Sequence, residues 1–101
     1  MPWIKIAKTV AIPDGEIRSF VAGDKKVAVA HIGLEFFAID DACTHAQCSL
    51  GEGALMNHEV ECHCHGARFD IATGAVRFLP ATVPVNTYPL KVEGEEILVE
   101  I

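Results

Sequence analysis

Residues 43–48 read Cys43-Thr44-His45-Ala46-Gln47-Cys48, and residues 62–70 read Cys62-His63-Cys64-His65-Gly66-Ala67-Arg68-Phe69-Asp70. All four cysteines and four of the five histidines of the 101-residue chain fall between these limits, so metal chemistry, if present, is concentrated there. Taken as ligands, the two stretches give Cys43-x-His45, sixteen intervening residues, and Cys62-x-x-His65. Two short loops brought side by side could each offer a soft thiolate to one metal and an imidazole to its neighbour. Gly66, directly after His65, has no Cβ and would let the backbone pass close to a bulky inorganic core.

The paired boxes resemble the signature of the Rieske iron-sulfur proteins, Cys-x-His, a long spacer, then Cys-x-x-His-Gly followed after two residues by an aromatic and Asp. Cys43, His45, Cys62, His65, Gly66, Phe69 and Asp70 match it position for position. In such centres two histidines replace two cysteines on one iron of a [2Fe-2S] cluster. The resemblance therefore implies one such cluster, with Cys43 and Cys62 on one iron and His45 and His65 on the other. It also implies an all-β Rieske fold: an antiparallel, β-sandwich-like base of residues about 1–40 and 83–101, carrying an inserted cluster-binding subdomain of residues about 41–82. The competing site is zinc held by all four cysteines. Four residues separate Cys43 from Cys48, but only one separates Cys62 from Cys64, tighter than the two to four that structural zinc pairs favour.

Cys48 and Cys64 are surplus to the ligand set and hold matching places in the two boxes. That arrangement resembles the high-potential Rieske proteins of respiratory and photosynthetic complexes, and so implies a Cys48–Cys64 disulfide between the cluster loops. Dioxygenase ferredoxins usually lack the pair. A reducing cytosol argues for free thiols, whereas a buried, unstrained bridge of low potential resists the glutathione pool. The bridge is the reading adopted, worth at most ~3 kcal/mol by loop entropy and less where a cluster already joins the loops.

The high-potential branch also carries a serine after His-Gly and a tyrosine two residues later, whose hydroxyls raise the potential by donating to the cluster sulfurs. Here those places hold Ala67 and Phe69. The potential is accordingly expected near the low end of the Rieske range, around −150 mV. His63 stands where proline is common and is expected to be exposed and unbound.

Composition narrows the partners. Eight basic and fourteen acidic residues give a net charge of −6, which argues against a nucleic-acid partner bound through phosphates. The bland use of these charges is solubility; a more specific one is steering towards basic protein surfaces. No apolar run is long enough to span a bilayer and no secretory pattern opens the sequence, so a cytoplasmic protein without a membrane partner is expected.

Outside the boxes the chain reads as strands and turns. Residues 3–7 alternate weakly, with Trp3 as the expected core anchor. Pro13-Asp14-Gly15 and Gly23-Asp24-Lys25 are turn signals around a strand at 16–21. Residues 26–32 are nearly all apolar or β-branched, as in a strand buried on both faces, and Gly33-Leu34 reverses into residues 35–39. Phe36 and Phe37 there are packing residues on opposite faces, and His31 is structural. Asp40-Asp41 either turn the chain or place negative charge near the metal. Further strands are expected at 59–61, 67–71, 75–78, 87–92 and 97–101, with Asn57-His58 as a solvated turn. By resemblance, the loop 79–84 covers the cluster through Pro80.

No nucleophile–base pair or open substrate metal site is legible, so the chain reads as a one-electron carrier and not an enzyme. Resemblance to the ferredoxins of bacterial aromatic-ring-hydroxylating dioxygenases implies an NAD(P)H-dependent flavoprotein ferredoxin reductase as donor and a terminal Rieske non-haem iron oxygenase as acceptor. The electron would leave through exposed His45 and His65, ringed by apolar residues such as Leu50 and Pro80, from a protein monomeric in isolation. The alternatives are a small Rieske subunit of a multi-subunit reductase such as nitrite reductase, and the soluble head of a quinol-oxidising complex, which the absent hydroxyls disfavour.

Overall fold

The computed structural model describes residues 3–44, 48–64, 66–79 and 82–101. His45, His65 and Pro80 lie outside the described residues. In chain order the strands are β1 (Trp3–Lys8), β2 (Ile17–Ala22), β3 (Lys25–Ile32), β4 (Glu35–Asp40), β5 (Ala54–Met56), β6 (Glu59–Glu61), β7 (Arg68–Asp70), β8 (Val76–Phe78), β9 (Thr87–Tyr88), β10 (Leu90–Glu93) and β11 (Glu96–Glu100). Only two short 3₁₀ turns, Thr9–Ala11 and Leu50–Glu52, interrupt this all-β pattern among the described residues. No described helix is long and apolar enough to cross a membrane.

Three antiparallel sheets form, ordered β1-β11-β10, β2-β3-β4-β9 and β5-β6-β7-β8. Strands from both ends of the chain pair in the first sheet, and β9 returns to β4 in the second. The second sheet is the middle layer, and β3 shows why. Successive strand side chains point to opposite faces, so Val27 and Val29 enter one core with Ile12, Ile97 and Val99, whereas Ala28 and Ala30 enter the other with Ile39, Val60, Phe69 and Ile71. Val27, Ala28, Val29 and Ala30 are all fully buried, as the uninterrupted apolar run requires. Phe36 and Phe37 divide in the same way, one against each core.

Local chemistry sets the turns. Gly15, Gly23 and Gly33 occupy the left-handed region that glycine adopts without a Cβ clash. Asn57 does so at φ 60, closing the β5–β6 hairpin with a residue type that tolerates this conformation. His31 is structural, as expected: its ring nitrogens lie 2.7 Å from the Ile12 carbonyl and 2.8 Å from that of Gly33, and the ring stacks on Phe36.

Three expectations change. Trp3 is exposed rather than a core anchor, because the alternation of β1 puts it on the outer face with Lys5; the Lys91 ammonium sits 4.5 Å from its ring centroid. The strand foreseen at 87–92 is two strands: Pro89 has no N–H to extend a ladder, and the chain crosses there from the second sheet to the first. Leu50 is fully buried and so cannot ring an exposed electron exit; the 3₁₀ turn carries it into the core that also holds Ile17 and Val60.

Candidate metal centre

The two boxes are the loops that join the middle sheet to the third sheet and β6 to β7. Their local closure is alike. The Cys43 N–H donates to the Cys48 carbonyl at 2.8 Å, and the Cys62 N–H donates to the Ala67 carbonyl at 2.8 Å, in both cases five residues on. Each loop is thus a small ring of backbone tied at its first cysteine. In the second, the Gly66 N–H also bonds the Cys62 carbonyl at 3.1 Å. Gly66 suits its backbone conformation, φ +77, and among the described residues the nearest atom to a built Cβ is a Glu61 carboxylate oxygen at 4.0 Å.

Cys43 and Cys62 are each 1 % exposed and join the same core as Leu50, Ala67 and Phe69. Apolar walls and a dry thiol are what a cluster-binding thiolate needs, since low dielectric holds its charge to the metal instead of to water. The donor set therefore fits a cluster gripped by these two sulfurs. His45 and His65, the expected imidazole ligands, lie outside the described residues.

Asp41, two residues before Cys43, fixes the first loop and was not foreseen in that role. It is 3 % exposed, and its Oδ1 accepts hydrogen bonds from Ser19 Oγ at 2.7 Å, Ser49 Oγ at 2.9 Å and the Gly51 N–H at 2.9 Å. Its carbonyl accepts the Leu50 N–H at 2.6 Å, and Ala42 bridges to Ser49. A short polar residue just before a ligand box is the only sequence signal, and it is shared with ordinary turns. Asp40 turns outward instead, taking hydrogen bonds from Tyr88 Oη and Asn86 Nδ2. At the opposite edge, Thr44 Oγ1 donates to the Val83 carbonyl at 2.6 Å, tying the first loop to the far end of the proline-bearing segment.

Cys48 and Cys64 are joined by a disulfide with Cα atoms 6.5 Å apart. The bridge is partly accessible: Cys64 is exposed and Cys48 half-buried, since the second loop turns its tip outward at residues 63 and 64. Both sulfurs and the Cys62 sulfur lie within 4.8 Å of one another. His63 is exposed, with Nε2 3.8 Å from Cys64 Sγ and 4.0 Å from a Glu52 carboxylate oxygen.

Comparisons with known proteins agree on one assignment. The model of the Rieske [2Fe-2S] domain matches residues 2–89. The ferredoxin component of biphenyl 2,3-dioxygenase from Rhodococcus jostii is 40% identical over 101 residues, covering 100% of this chain and 94% of the relative. The ferredoxin of carbazole 1,9a-dioxygenase from Nocardioides aromaticivorans superposes with TM-score 0.93 at 34% identity, covering 98% of this chain and 97% of that one. A chain from a complex of reduced oxygenase and oxidized ferredoxin in carbazole 1,9a-dioxygenase gives TM-score 0.88 at 35% identity, covering 96% and 91%.

Proposed function

Because the chain belongs to the Rieske [2Fe-2S] domain family, we propose that it is the ferredoxin component of an aromatic-ring-hydroxylating dioxygenase system, passing electrons singly from a reductase to an oxygenase. Its cofactor is one Rieske-type cluster, which supplies a site that gains and loses a single electron. The protein is a carrier and not an enzyme. In the finer assignment the donor is an NAD(P)H-dependent flavoprotein ferredoxin reductase and the acceptor a terminal Rieske non-haem iron oxygenase. Cys43, His45, Cys62 and His65 are the ligands. Residues 41–82 form the cluster-binding subdomain, residues 1–40 and 83–101 the base, and the protein is monomeric and cytoplasmic.

The observation that carries this reading is the matched burial and backbone closure of Cys43 and Cys62 in two facing loops. These loops hold the two sulfurs out of water. The net charge of −6 supplies steering towards a basic partner surface.

Visible and paramagnetic spectra of the anaerobically purified protein test the ligand set. The reduced form should show a signal of mixed nitrogen and thiolate character, lost in His45→Ala and His65→Ala and retained in His63→Ala. Retention of the signal in His65→Ala would remove that residue from the set. Reduction by a ring-hydroxylating system's flavoprotein, with no turnover when that system's oxygenase is omitted, tests the place in the chain of carriers.

A further inference from the structure

We infer that the Cys48–Cys64 disulfide is a thiol-exchange site, opened by a dithiol that attacks at Cys64 while Cys43 and Cys62 stay inaccessible. The four cysteines divide sharply. Cys43 and Cys62 are 1 % exposed, Cys48 is half-buried, and Cys64 stands in solvent. Thiol–disulfide exchange needs a nucleophile in line with one sulfur, and its rate depends on which sulfur can be reached. Of the two bridged residues, Cys64 is the more exposed.

The exchange balances in two steps. The incoming thiolate bonds to the Cys64 sulfur and expels the Cys48 thiolate, giving a mixed disulfide. The second thiol of the dithiol then attacks its own partner sulfur and expels the Cys64 thiolate. The protein gains two electrons and two protons, and the dithiol becomes a disulfide. His63 is placed for the second departure: a ring N–H at Nε2, 3.8 Å from Cys64 Sγ, donates to the sulfur as charge develops on it. A Glu52 carboxylate oxygen lies 4.0 Å from the same nitrogen.

The position gives the exchange a consequence. In the bridged form the Cys48 and Cys64 sulfurs lie within 4.8 Å of the Cys62 sulfur, so opening the bridge releases two thiols next to it. Two free thiols next to the Cys62 sulfur that the cluster requires are a competing donor set for a soft metal. Closing the bridge removes both. The inference stands on the geometry of these cysteines and does not depend on which oxygenase is served.

The test uses the intact, cluster-loaded protein under anaerobic conditions. A limiting monothiol, glutathione, is added, the reaction is quenched with an alkylating agent, and peptides are mapped by mass. The expected product carries glutathione on Cys64 and the alkyl group on Cys48, exceeding the reverse pattern by roughly tenfold, as access predicts. With dithiothreitol, Cys48 and Cys64 should both become alkylated while Cys43 and Cys62 remain unlabelled and the visible spectrum persists. In His63→Ala the same dithiol should leave more mixed disulfide at matched times. Adduct on Cys48, a bridge that opens only in denaturant, or labelling of Cys43 or Cys62 before Cys64 would each overturn the assignment.

Discussion

Ser19 on β2 and Gly51 in the 3₁₀ turn after the first cluster loop touch so closely that a Cβ built on Gly51 would lie 2.0 Å from Ser19 Oγ and 2.6 Å from the Ser19 backbone nitrogen. This contact seats the loop on the middle sheet. Gly51→Ala must push the turn off β2, because a backbone atom cannot swing aside as a side chain can. Overpacking of this kind costs about 3 kcal/mol. Denaturant unfolding should show that loss; an unchanged midpoint would mean that the loop has room to spare.

Asp41 holds the same junction by polar contacts. Removing its carboxylate leaves Ser19 Oγ, Ser49 Oγ and the Gly51 N–H without their shared acceptor. Hydrogen bonds to a charged group, and buried donors left unmet, put the expected cost of Asp41→Ala at about 3 kcal/mol. Asp41→Asn keeps an oxygen at Oδ1 and should lose clearly less. Both are read by denaturant unfolding, together with the iron bound per chain after purification, which should fall in Asp41→Ala first. Equal stability of the two variants would show that the oxygen is not what holds the loop.

Much of this architecture was legible because it is written in side-chain period and ligand spacing. The apolar run at β3 announced a strand covered on both faces, and the two Cys–His boxes announced the metal. What escaped depends on relations between distant residues. Nothing around Ser19 marks it as the partner of a turn thirty residues away, and Asp41 looks like any polar residue before a loop. Leu50 misled because an apolar residue among glycines can face either way until the turn is built. β5 is not legible because Ala54, Leu55 and Met56 are all apolar, and three such residues show no alternation. Trp3 faces outward because β1, a strand of the outer sheet, presents one face to solvent, which weak alternation alone does not reveal. The exposure of Cys64 follows from the path of the second loop, which spacing alone does not set.

Tyr88 and Asp70 each make stability depend on pH. Burial pushes the Tyr88 hydroxyl up from 10.0 to about 12, helped by its hydrogen bond to Asp40 and by that residue's charge. A folded-state value above the unfolded one means that the contribution is complete below pH 10 and fades as pH rises towards about 12. For Asp70, burial pushes upward but is outweighed by Arg77 and the backbone N–H groups of Thr73 and Ala72, so its carboxyl titrates below the ordinary 3.8. Its contribution is therefore present above that value and lost as pH falls through the folded-state one. Unfolding free energies across pH should show a slope at each end, with Tyr88→Phe flattening the alkaline one and Asp70→Asn the acid one. A slope that survives its own substitution belongs to another group.

Ala67 and Phe69 are both fully buried in the core that contains Cys43 and Cys62, and the Ala67 carbonyl takes the Cys62 N–H. A hydroxyl introduced at either place has no water to turn to, and a thiolate or sulfide sulfur is the acceptor that a cluster would offer. Donation to sulfur stabilises the reduced state, whose extra negative charge the hydrogen bond offsets. Ala67→Ser and Phe69→Tyr should therefore each raise the midpoint potential, and the double variant should raise it further, in redox titrations followed by the reduced-state paramagnetic signal. Stability separates this from a silent insertion, because a buried hydroxyl without a partner costs about 1–3 kcal/mol, whereas one bonded to sulfur recovers part of that. A variant that unfolds more easily while its potential stays fixed would show that the side chain at that position does not reach the sulfurs.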